Sequence, residues 1–240
     1  MKTEKAKGSE ALVGRTIFRT ARSVWHLLPR AMRSIGWRWW GRVFPYQSII
    51  YEGRLVARGH DRTEAYRIVF PEPPAGKSIL DIGCYSGFYC FMAASEGAKY
   101  CAGIDIDAAH LARGQAAKKR CKAENVDLFC ADALTHVFSR SFDVVLCLNV
   151  LQHIRTIERV DQLLGRLYEI ALLDLVIICP LTISSRYEYT WREGVHYLLL
   201  SAEYFQTKFS SDGVSVRHLP AGLYGPDRIL VNVAKQSPAR

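Results

Sequence analysis

From residue 77 onward, short apolar runs alternate with segments in which apolar residues recur every three to four positions. The short runs predict buried strands, and the amphipathic segments predict helices. Strands are predicted at 78–82, 100–105, 126–131, 142–148 and 173–179, with helices near 88–96, 108–123, 133–139 and 157–171. Strands that alternate with helices form βαβ units, which build a parallel sheet.

The end of the chain has a different pattern. A helix predicted near 201–209 precedes two apolar runs, VSVRHLP and RILVNVAK, that are close enough in sequence to pair as an antiparallel hairpin. The pattern therefore predicts an α/β fold with a doubly wound, mostly parallel seven-stranded sheet and a C-terminal antiparallel hairpin. This sheet would occupy a domain of residues 77–240.

Residues 46–76 predict a lead-in to that domain. The run QSIIYEGRLVARG indicates a hairpin that turns at Glu52-Gly53. Asp61 and Glu64 have the spacing of a capping box ahead of an apolar run, which predicts a helix start. The punctuated linker PEPPAGK then separates the lead-in from the main domain.

Residues 1–45 predict a basic, helical N-terminal extension. Between residues 15 and 35 one face is aliphatic and the other carries arginines, and Pro29 divides the segment into two helices. The extension holds +8 of the net charge of +9 and four of the five tryptophans. Residues 15–42 could thus bind an anionic membrane surface, bind RNA, or pack on the domain. Glu4 and Glu10 disfavour a mitochondrial presequence.

Composition narrows the class of protein. A chain that is 49% hydrophobic is not disordered, and its longest apolar run is shorter than the roughly 20 residues of a membrane-spanning helix. The seven cysteines are odd in number and never spaced as CxxC, so they predict buried thiols in a reducing, cytoplasmic compartment and no metal site.

The predicted strands share a feature at their carboxyl ends, where a doubly wound sheet binds its ligand. Each of the first four strands delivers a polar side chain there, in the order Asp81, Asp105, Asp132 and Asn149, and a glycine turn from Gly83 to Gly87 follows the first strand. An adenosine needs a carboxylate for its ribose hydroxyls, a polar group at its amine and a close backbone. The strand ends offer all three.

The runs LDIGCYSGFYCFMAASEGAKYCAGIDID, ADA and FDVVLCLNVLQHI resemble the class I S-adenosylmethionine-dependent methyltransferases, over about residues 77–234. The resemblance implies S-adenosylmethionine as the cofactor. The first motif of that family, an acid followed by GxGxG, has Tyr85 in place of its middle glycine. The turn tolerates this replacement if Tyr85 keeps a negative φ, since only the left-handed region demands glycine. The implied cofactor-binding residues are Asp81, Gly83, Tyr85, Gly87, Asp105, Ile106, Asp132, Ala133 and Asn149.

Within the family, the chain is similar to the tRNA wobble-uridine carboxymethyltransferase group and to related methyltransferases of lipids and natural products. Arg228 resembles the arginine that opens the last strand of that group, whereas Gln152 replaces a tyrosine that helps to bind carboxylated cofactor. We therefore favour plain S-adenosylmethionine and methyl transfer to an oxygen or nitrogen of a small-molecule or lipid-linked acceptor. The alternatives are a tRNA wobble-uridine-modifying enzyme and a non-catalytic module on the same scaffold.

Candidate acceptor-side residues follow the fourth strand. His153 is the candidate general base, with helix capping as the alternative interpretation. Tyr187, Trp191 and His196 lie in an aromatic stretch that would cover the pocket, and with Arg228 they are the candidate substrate-binding residues. Core or lid packing is their alternative role. A nicotinamide-binding site is disfavoured, because Tyr85 and Phe88 occupy two of the three glycine positions of GxGxxG.

Overall fold

The computed structural model describes residues 46–183, 185–192, 195–220 and 227–235. The two helices predicted in residues 1–45 lie outside the described residues. In chain order the elements are β1 (Ile49–Tyr51), β2 (Arg54–Ala57), α1 (Thr63–Val69), β3 (Ser78–Ile82), α2 (Phe88–Ser95), β4 (Tyr100–Asp105), α3 (Ala108–Cys121), β5 (Val126–Cys130), β6 (Phe142–Leu148), a 3-10 helix (Leu151–His153), α4 (Ile157–Ile170), β7 (Ala171–Pro180), β8 (Tyr187–Arg192), β9 (Val195–Leu200), α5 (Ala202–Lys208), β10 (Gly213–His218) and β11 (Arg228–Ala234).

Seven strands form the central sheet, in the order β10-β11-β7-β6-β3-β4-β5. Strands β3 to β7 run parallel, while β11 pairs antiparallel with β7 and β10 pairs antiparallel with β11. The predicted fold class is therefore confirmed, including the C-terminal hairpin. The strand order reverses between β3 and β6, and a doubly wound sheet opens its ligand crevice at such a point.

Both faces of the sheet are covered, because successive side chains of a buried parallel strand point to opposite faces. On β3, Ile79 packs into one hydrophobic cluster with α2, and Leu80 packs into the other with α4 and α5. Such burial on both faces explains why the sequence of these strands is apolar at nearly every position.

The lead-in elements share the first of these clusters. Ile49 and Tyr66 are fully buried in it. The Tyr66 ring contacts the Phe88 ring edge-to-face, with centroids 6.4 Å apart, and Tyr51 contacts Phe91 in the same way at 6.2 Å. The β1–β2 turn has the predicted geometry, with positive φ at both Glu52 and Gly53.

The helix α1 begins differently from the prediction. Its N-cap residue is Arg62, and no side chain caps it. Asp61 Oδ1 instead accepts hydrogen bonds from the backbone N–H and the hydroxyl of Thr63, so it closes a local turn ahead of the helix and forms no capping box with Glu64.

The helix predicted at 133–139 does not form, and this prediction was wrong. The segment makes a single turn in which the backbone N–H groups of Thr135 and His136 donate to the carbonyl of Asp132, and it then extends to Phe142. The guanidinium of Arg166 in α4 donates to the carbonyls of Ala133 and His136, so these carbonyls bond to a neighbouring helix and not to backbone N–H groups four residues further along.

A second difference is an unpredicted hairpin. Strands β8 and β9 pair antiparallel as a separate two-stranded sheet, from Tyr187↔Leu200 to Arg192↔Val195. In the described part of the chain, no helix combines the length and the apolar character that crossing a membrane requires.

Candidate active site

The parallel strands bring the predicted polar residues to one edge of the sheet. Asp81 lies in β3 and Asp105 ends β4, while Asp132 and Asn149 follow β5 and β6 by two and one residues. Because β3 pairs with both β4 and β6, these side chains surround the point at which the strand order reverses. A ligand in this crevice would meet carboxylates from three adjacent strands.

The turn after β3 requires its two flanking glycines. Gly83 has φ +69°, and a Cβ atom there would lie 2.6 Å from Val150 Cγ2. Gly87 has φ +83°, and its Cβ atom would lie 2.9 Å from Leu128 Cδ2. A left-handed backbone and close neighbours both exclude side chains, so the turn brings bare backbone to the crevice.

Tyr85 does not meet the condition of a negative φ, since its φ is +55°. The left-handed region costs a residue with a side chain about 1–2 kcal/mol. Two contacts offset this cost. The Tyr85 N–H donates to Asp105 Oδ2 at 3.0 Å, and its ring stacks on the His110 ring with centroids 4.3 Å apart. The tyrosine therefore occupies a glycine position without opening the turn.

Asp105 is the most heavily hydrogen-bonded carboxylate of the site. Besides the hydrogen bond from the Tyr85 N–H, its Oδ1 atom accepts a hydrogen bond from the Asp107 N–H at 2.9 Å. His110 Nδ1 lies 3.3 Å from the same oxygen. Asp107 in turn caps α3 by accepting from the Ala109 N–H. His110 was not among the residues predicted from the sequence, although its position in the first turn of α3, five residues after Asp105, places it near that acid.

Asp81 lies deeper than Asp105. It is 2% exposed, and its Oδ2 atom has no hydrogen-bond partner among the described residues. Burial, followed by the nearby charge of Asp105, raises the pKa of Asp81 to about 8. A buried carboxyl group in this state would gain from a cationic group placed beside it.

The β5 side of the crevice is more open. Ile106 is 72% exposed, which leaves an apolar side chain next to Asp105 with little protein against it. Asp132 accepts the Leu134 N–H at Oδ1, and the carbonyl of Ala133 accepts from Arg166 Nε. Neither bond uses the second carboxylate oxygen of Asp132 or the N–H of Ala133.

The β6 side carries a linked pair of polar residues. Asn149 has φ +59°, and its N–H donates to the carbonyl of Ile178 at 2.7 Å. Buried Gln152 donates from Nε2 to the carbonyl of Asn149 at 2.9 Å, and the same nitrogen lies 3.3 Å from His153 Nε2. Since an amide nitrogen only donates, the neutral His153 accepts at Nε2 and carries its proton on Nδ1.

His153 remains exposed on one side, yet the protein atoms around the rest of its ring lower its pKa, and the charge of Arg228 lowers it further. Arg228 begins β11, opposite Pro180 at the end of β7. The His153 ring also lies 5.6 Å from the Tyr197 ring, centroid to centroid. His153, Arg228 and Tyr197 thus meet beside the carboxyl end of β6.

The β8–β9 hairpin divides the predicted aromatic residues between two faces, because side chains alternate along a strand. Tyr187 and Trp191 share one face with His196, and the Trp191 ring packs edge-to-face on His196 at 4.1 Å. Trp191 is 61% exposed. Tyr197 projects from the other face, toward His153, so the hairpin does not bring Trp191 or His196 to the same place as Tyr197.

Comparison with known proteins agrees with this geometry. Residues 80–172 match the family described as "Methyltransferase domain". The match begins in β3 and ends in β7, so it covers the strands that carry Asp81, Asp105, Asp132 and Asn149.

Two curated relatives are similar to parts of the chain. A tRNA U34 carboxymethyltransferase of Pseudoalteromonas translucida (strain TAC 125) is 36% identical over 85 residues, which are 35% of this chain and 26% of that protein. A ubiquinone biosynthesis O-methyltransferase of Pseudomonas putida (strain GB-1) is 30% identical over 118 residues, 49% of this chain and 47% of that protein. The chain thus spans about a quarter to a half of the length of these relatives.

Solved structures extend the likeness to most of the fold. The magnesium protoporphyrin IX methyltransferase of Synechocystis PCC 6803, crystallised with bound SAM, superimposes with a TM-score of 0.56 at 16% identity, over 73% of this chain and 78% of that one. At this identity the likeness establishes the fold.

Proposed function

We propose that the chain carries a class I S-adenosylmethionine-dependent methyltransferase domain and that it transfers a methyl group from S-adenosylmethionine to an oxygen or nitrogen of a small-molecule or lipid-linked acceptor. The observation that carries the proposal is the meeting of three strand-end carboxylates with a glycine turn at the reversal of strand order.

The residues of the crevice fit the cofactor. Asp105 would hold the ribose hydroxyls, and Ile106 would lie against the adenine ring, whose amine would donate to Asp132. The buried, unpartnered Oδ2 of Asp81 suits a cationic amino-acid group, which would draw that carboxyl group into its charged form. When bound, the cofactor supplies a methyl group on a positively charged sulfur.

The chain's own contribution to methyl transfer is mainly alignment, because displacement at carbon needs the acceptor atom in line with the methyl group. We assign His153 to remove a proton from a hydroxyl or amine acceptor. Its lowered pKa keeps the ring unprotonated at neutral pH, so that Nε2 is able to accept a proton. In the described structure Gln152 holds the basic Nε2 atom, so the acceptor would displace that contact.

The acceptor would lie between His153 and the face of the hairpin that carries Tyr197. Tyr197 flanks His153 there, and Arg228 adds a positive charge beside it. Tyr187, Trp191 and His196 project from the opposite face of the hairpin, which also carries the buried Leu198 and Leu200, so they do not share the side on which Tyr197 meets His153. We therefore rank Tyr197 and Arg228 ahead of these three residues.

The test is calorimetric titration of the full chain with S-adenosylhomocysteine, followed by incubation with labelled S-adenosylmethionine and fractionated small-molecule or lipid extract. We expect binding in the first experiment and label transfer in the second. Absence of binding would refute the proposal. Binding without transfer to any acceptor would favour the non-catalytic alternative.

A tRNA acceptor is the second candidate, because one of the similar proteins is named a tRNA U34 carboxymethyltransferase. Gln152 stands where the resemblance leads us to expect a tyrosine, which disfavours carboxylated cofactor. Adding total tRNA to the labelling reaction distinguishes the two candidates. Label in tRNA that resists protease, with none in the extracts, would favour the tRNA acceptor.

We further propose a cytoplasmic location, with residues 15–42 attaching the protein to an anionic membrane surface. Arginines and tryptophans of this segment suit the headgroup region of a bilayer, and a lipid-linked acceptor would lie there. Full-length protein should sediment with vesicles of anionic lipid at about 0.15 M salt, where the Debye length is about 8 Å. A truncated chain that starts at Tyr46 should remain in the supernatant and still bind cofactor. Binding of tRNA instead of vesicles would favour RNA as the partner.

A further inference from the structure

The hydrogen bonds of Asp105 leave less room for a ribose than the residue's position suggests. A carboxylate offers about four lone-pair sites. Backbone N–H groups of Tyr85 and Asp107 use one site on each oxygen, at 3.0 and 2.9 Å. His110 Nδ1, at 3.3 Å, uses the second site on Oδ1. One site remains, whereas a ribose diol that binds both oxygens requires two.

One of the three protein donors must therefore give way when a ribose diol binds. The two backbone donors belong to the glycine turn and to the start of α3, so moving them would shift both elements. His110 is a side chain, and its contact with Asp105 is the longest of the three. It is also 40% exposed and has Asp107 Oδ2 within 3.6 Å of its Nε2 atom as a second partner. His110 is therefore the donor that can leave at the lowest cost.

Tyr85 explains why His110 stands over Asp105. The two rings stack with centroids 4.3 Å apart and planes inclined by 36°. A glycine at position 85 would provide no such surface. Tyr85 and His110 thus form one feature. Tyr85 stands in place of the middle glycine, and its ring and that of His110 together cover the ribose-binding edge of Asp105.

We propose that His110 is a cofactor-site residue that competes with the ribose hydroxyls for Asp105, and that cofactor binding requires its displacement. The proposal rests on the proposed function, since it assumes that Asp105 holds the ribose. It assigns to His110 a negative contribution to affinity. Cofactor binding breaks the hydrogen bond between His110 and Asp105. The free energy that this bond contributes to the free chain is therefore subtracted from the free energy of binding.

The test measures S-adenosylhomocysteine affinity by calorimetry for a matched pair of variants. His110→Leu removes the donor and keeps an apolar side chain against Tyr85, and its dissociation constant should fall about threefold to tenfold, the range of one net hydrogen bond. His110→Asn places an amide N–H near the Nδ1 position, and its affinity should stay close to that of the original chain. His218→Ala, an exposed histidine of the edge strand β10, serves as the control and should change nothing.

An analogue of S-adenosylhomocysteine without the 2′-hydroxyl gives a second readout. It needs only the one free site on Asp105, so His110→Leu should leave its affinity nearly unchanged. Unchanged or weaker binding of the complete ligand by a folded His110→Leu variant would overturn the competition. If the original chain binds no S-adenosylhomocysteine at all, the proposed function fails instead, and the two failures are thereby distinguished.

Discussion

Replacement of Asp105 by alanine tests the cofactor site most directly. The carboxylate would hold two ribose hydroxyls, and hydrogen bonds to a charged group contribute about 1.5–3 kcal/mol each. Losing the pair should weaken S-adenosylhomocysteine binding at least about a hundredfold, since 1.4 kcal/mol corresponds to a factor of ten. The displaced contact with His110 returns only a small part of this energy.

The same substitution also affects the turn, because Asp105 accepts the N–H groups of Tyr85 and Asp107. Tyr85 is half-buried and Asp107 is exposed, so water can replace the lost acceptor at both, and we expect the domain to remain folded. Urea unfolding should therefore accompany the calorimetry. Asp127→Ala is the matched control, an acid on the neighbouring strand that pairs with Lys118 and Tyr100 and should leave binding unchanged. Binding by folded Asp105→Ala within threefold of the original chain would refute the assignment.

Three further predictions concern packing, proton linkage and catalysis. In α3, a Cβ atom on Gly114 would lie 2.4 Å from the carbonyl oxygen of Ser86, whereas a Cβ atom on Gly165 of α4 would meet open space. Urea unfolding should show that Gly114→Ala destabilises the chain by about 1–3 kcal/mol and that Gly165→Ala stabilises it by about 1 kcal/mol. Equal effects of the two substitutions would contradict this packing. The pKa of Asp81 is raised from 3.8 to about 8, so the folded chain binds a proton that the unfolded chain releases, and stability should fall as pH rises from about 4 to 8. Asp81→Asn should flatten that decline by a few kcal/mol, at about 1.4 kcal/mol per pKa unit, and an unchanged slope between pH 5 and 8.5 would count against it. Once an acceptor is known, His153→Gln should lower kcat about 10² to 10⁴-fold. Because burial and Arg228 lower the pKa of His153, the acidic limb of the pH profile of kcat/KM should lie below pH 6.5. A limb above that value would exclude His153 as the base.

The hydrophobic pattern was sufficient to predict the central sheet. Strands β3, β4 and β6 are buried on both faces, so their apolar runs stand out from the amphipathic helices between them. Parallel strands also end at one edge, which is why Asp81, Asp105 and Asp132 could be grouped from spacing alone. The glycine turn was also predictable from the sequence, since Gly83 and Gly87 adopt the positive φ that favours glycine.

The segment at 133–139 shows where the local pattern misled. Its composition permits a helix, but Arg166 of α4 donates to the carbonyls of Ala133 and His136. Only the tertiary structure brings Arg166 to this segment. The hairpin of β8 and β9 was missed for a related reason, since its strands pair with each other and not with the central sheet.

The amino-acid sequence by itself determined which residue types lie at the carboxyl end of each strand and at which turn positions glycine is required. Both depend on the periodicity and φ preferences of a few neighbouring residues. Only the tertiary structure decided that Tyr85 takes the left-handed region beneath His110, and that Tyr197 rather than Trp191 faces His153. Each of these outcomes depends on a contact between side chains that lie 25 to 44 positions apart or on separate elements. The physical reason is that the energy of such contacts, and the strain they offset, exists only once the sheet has brought the elements together.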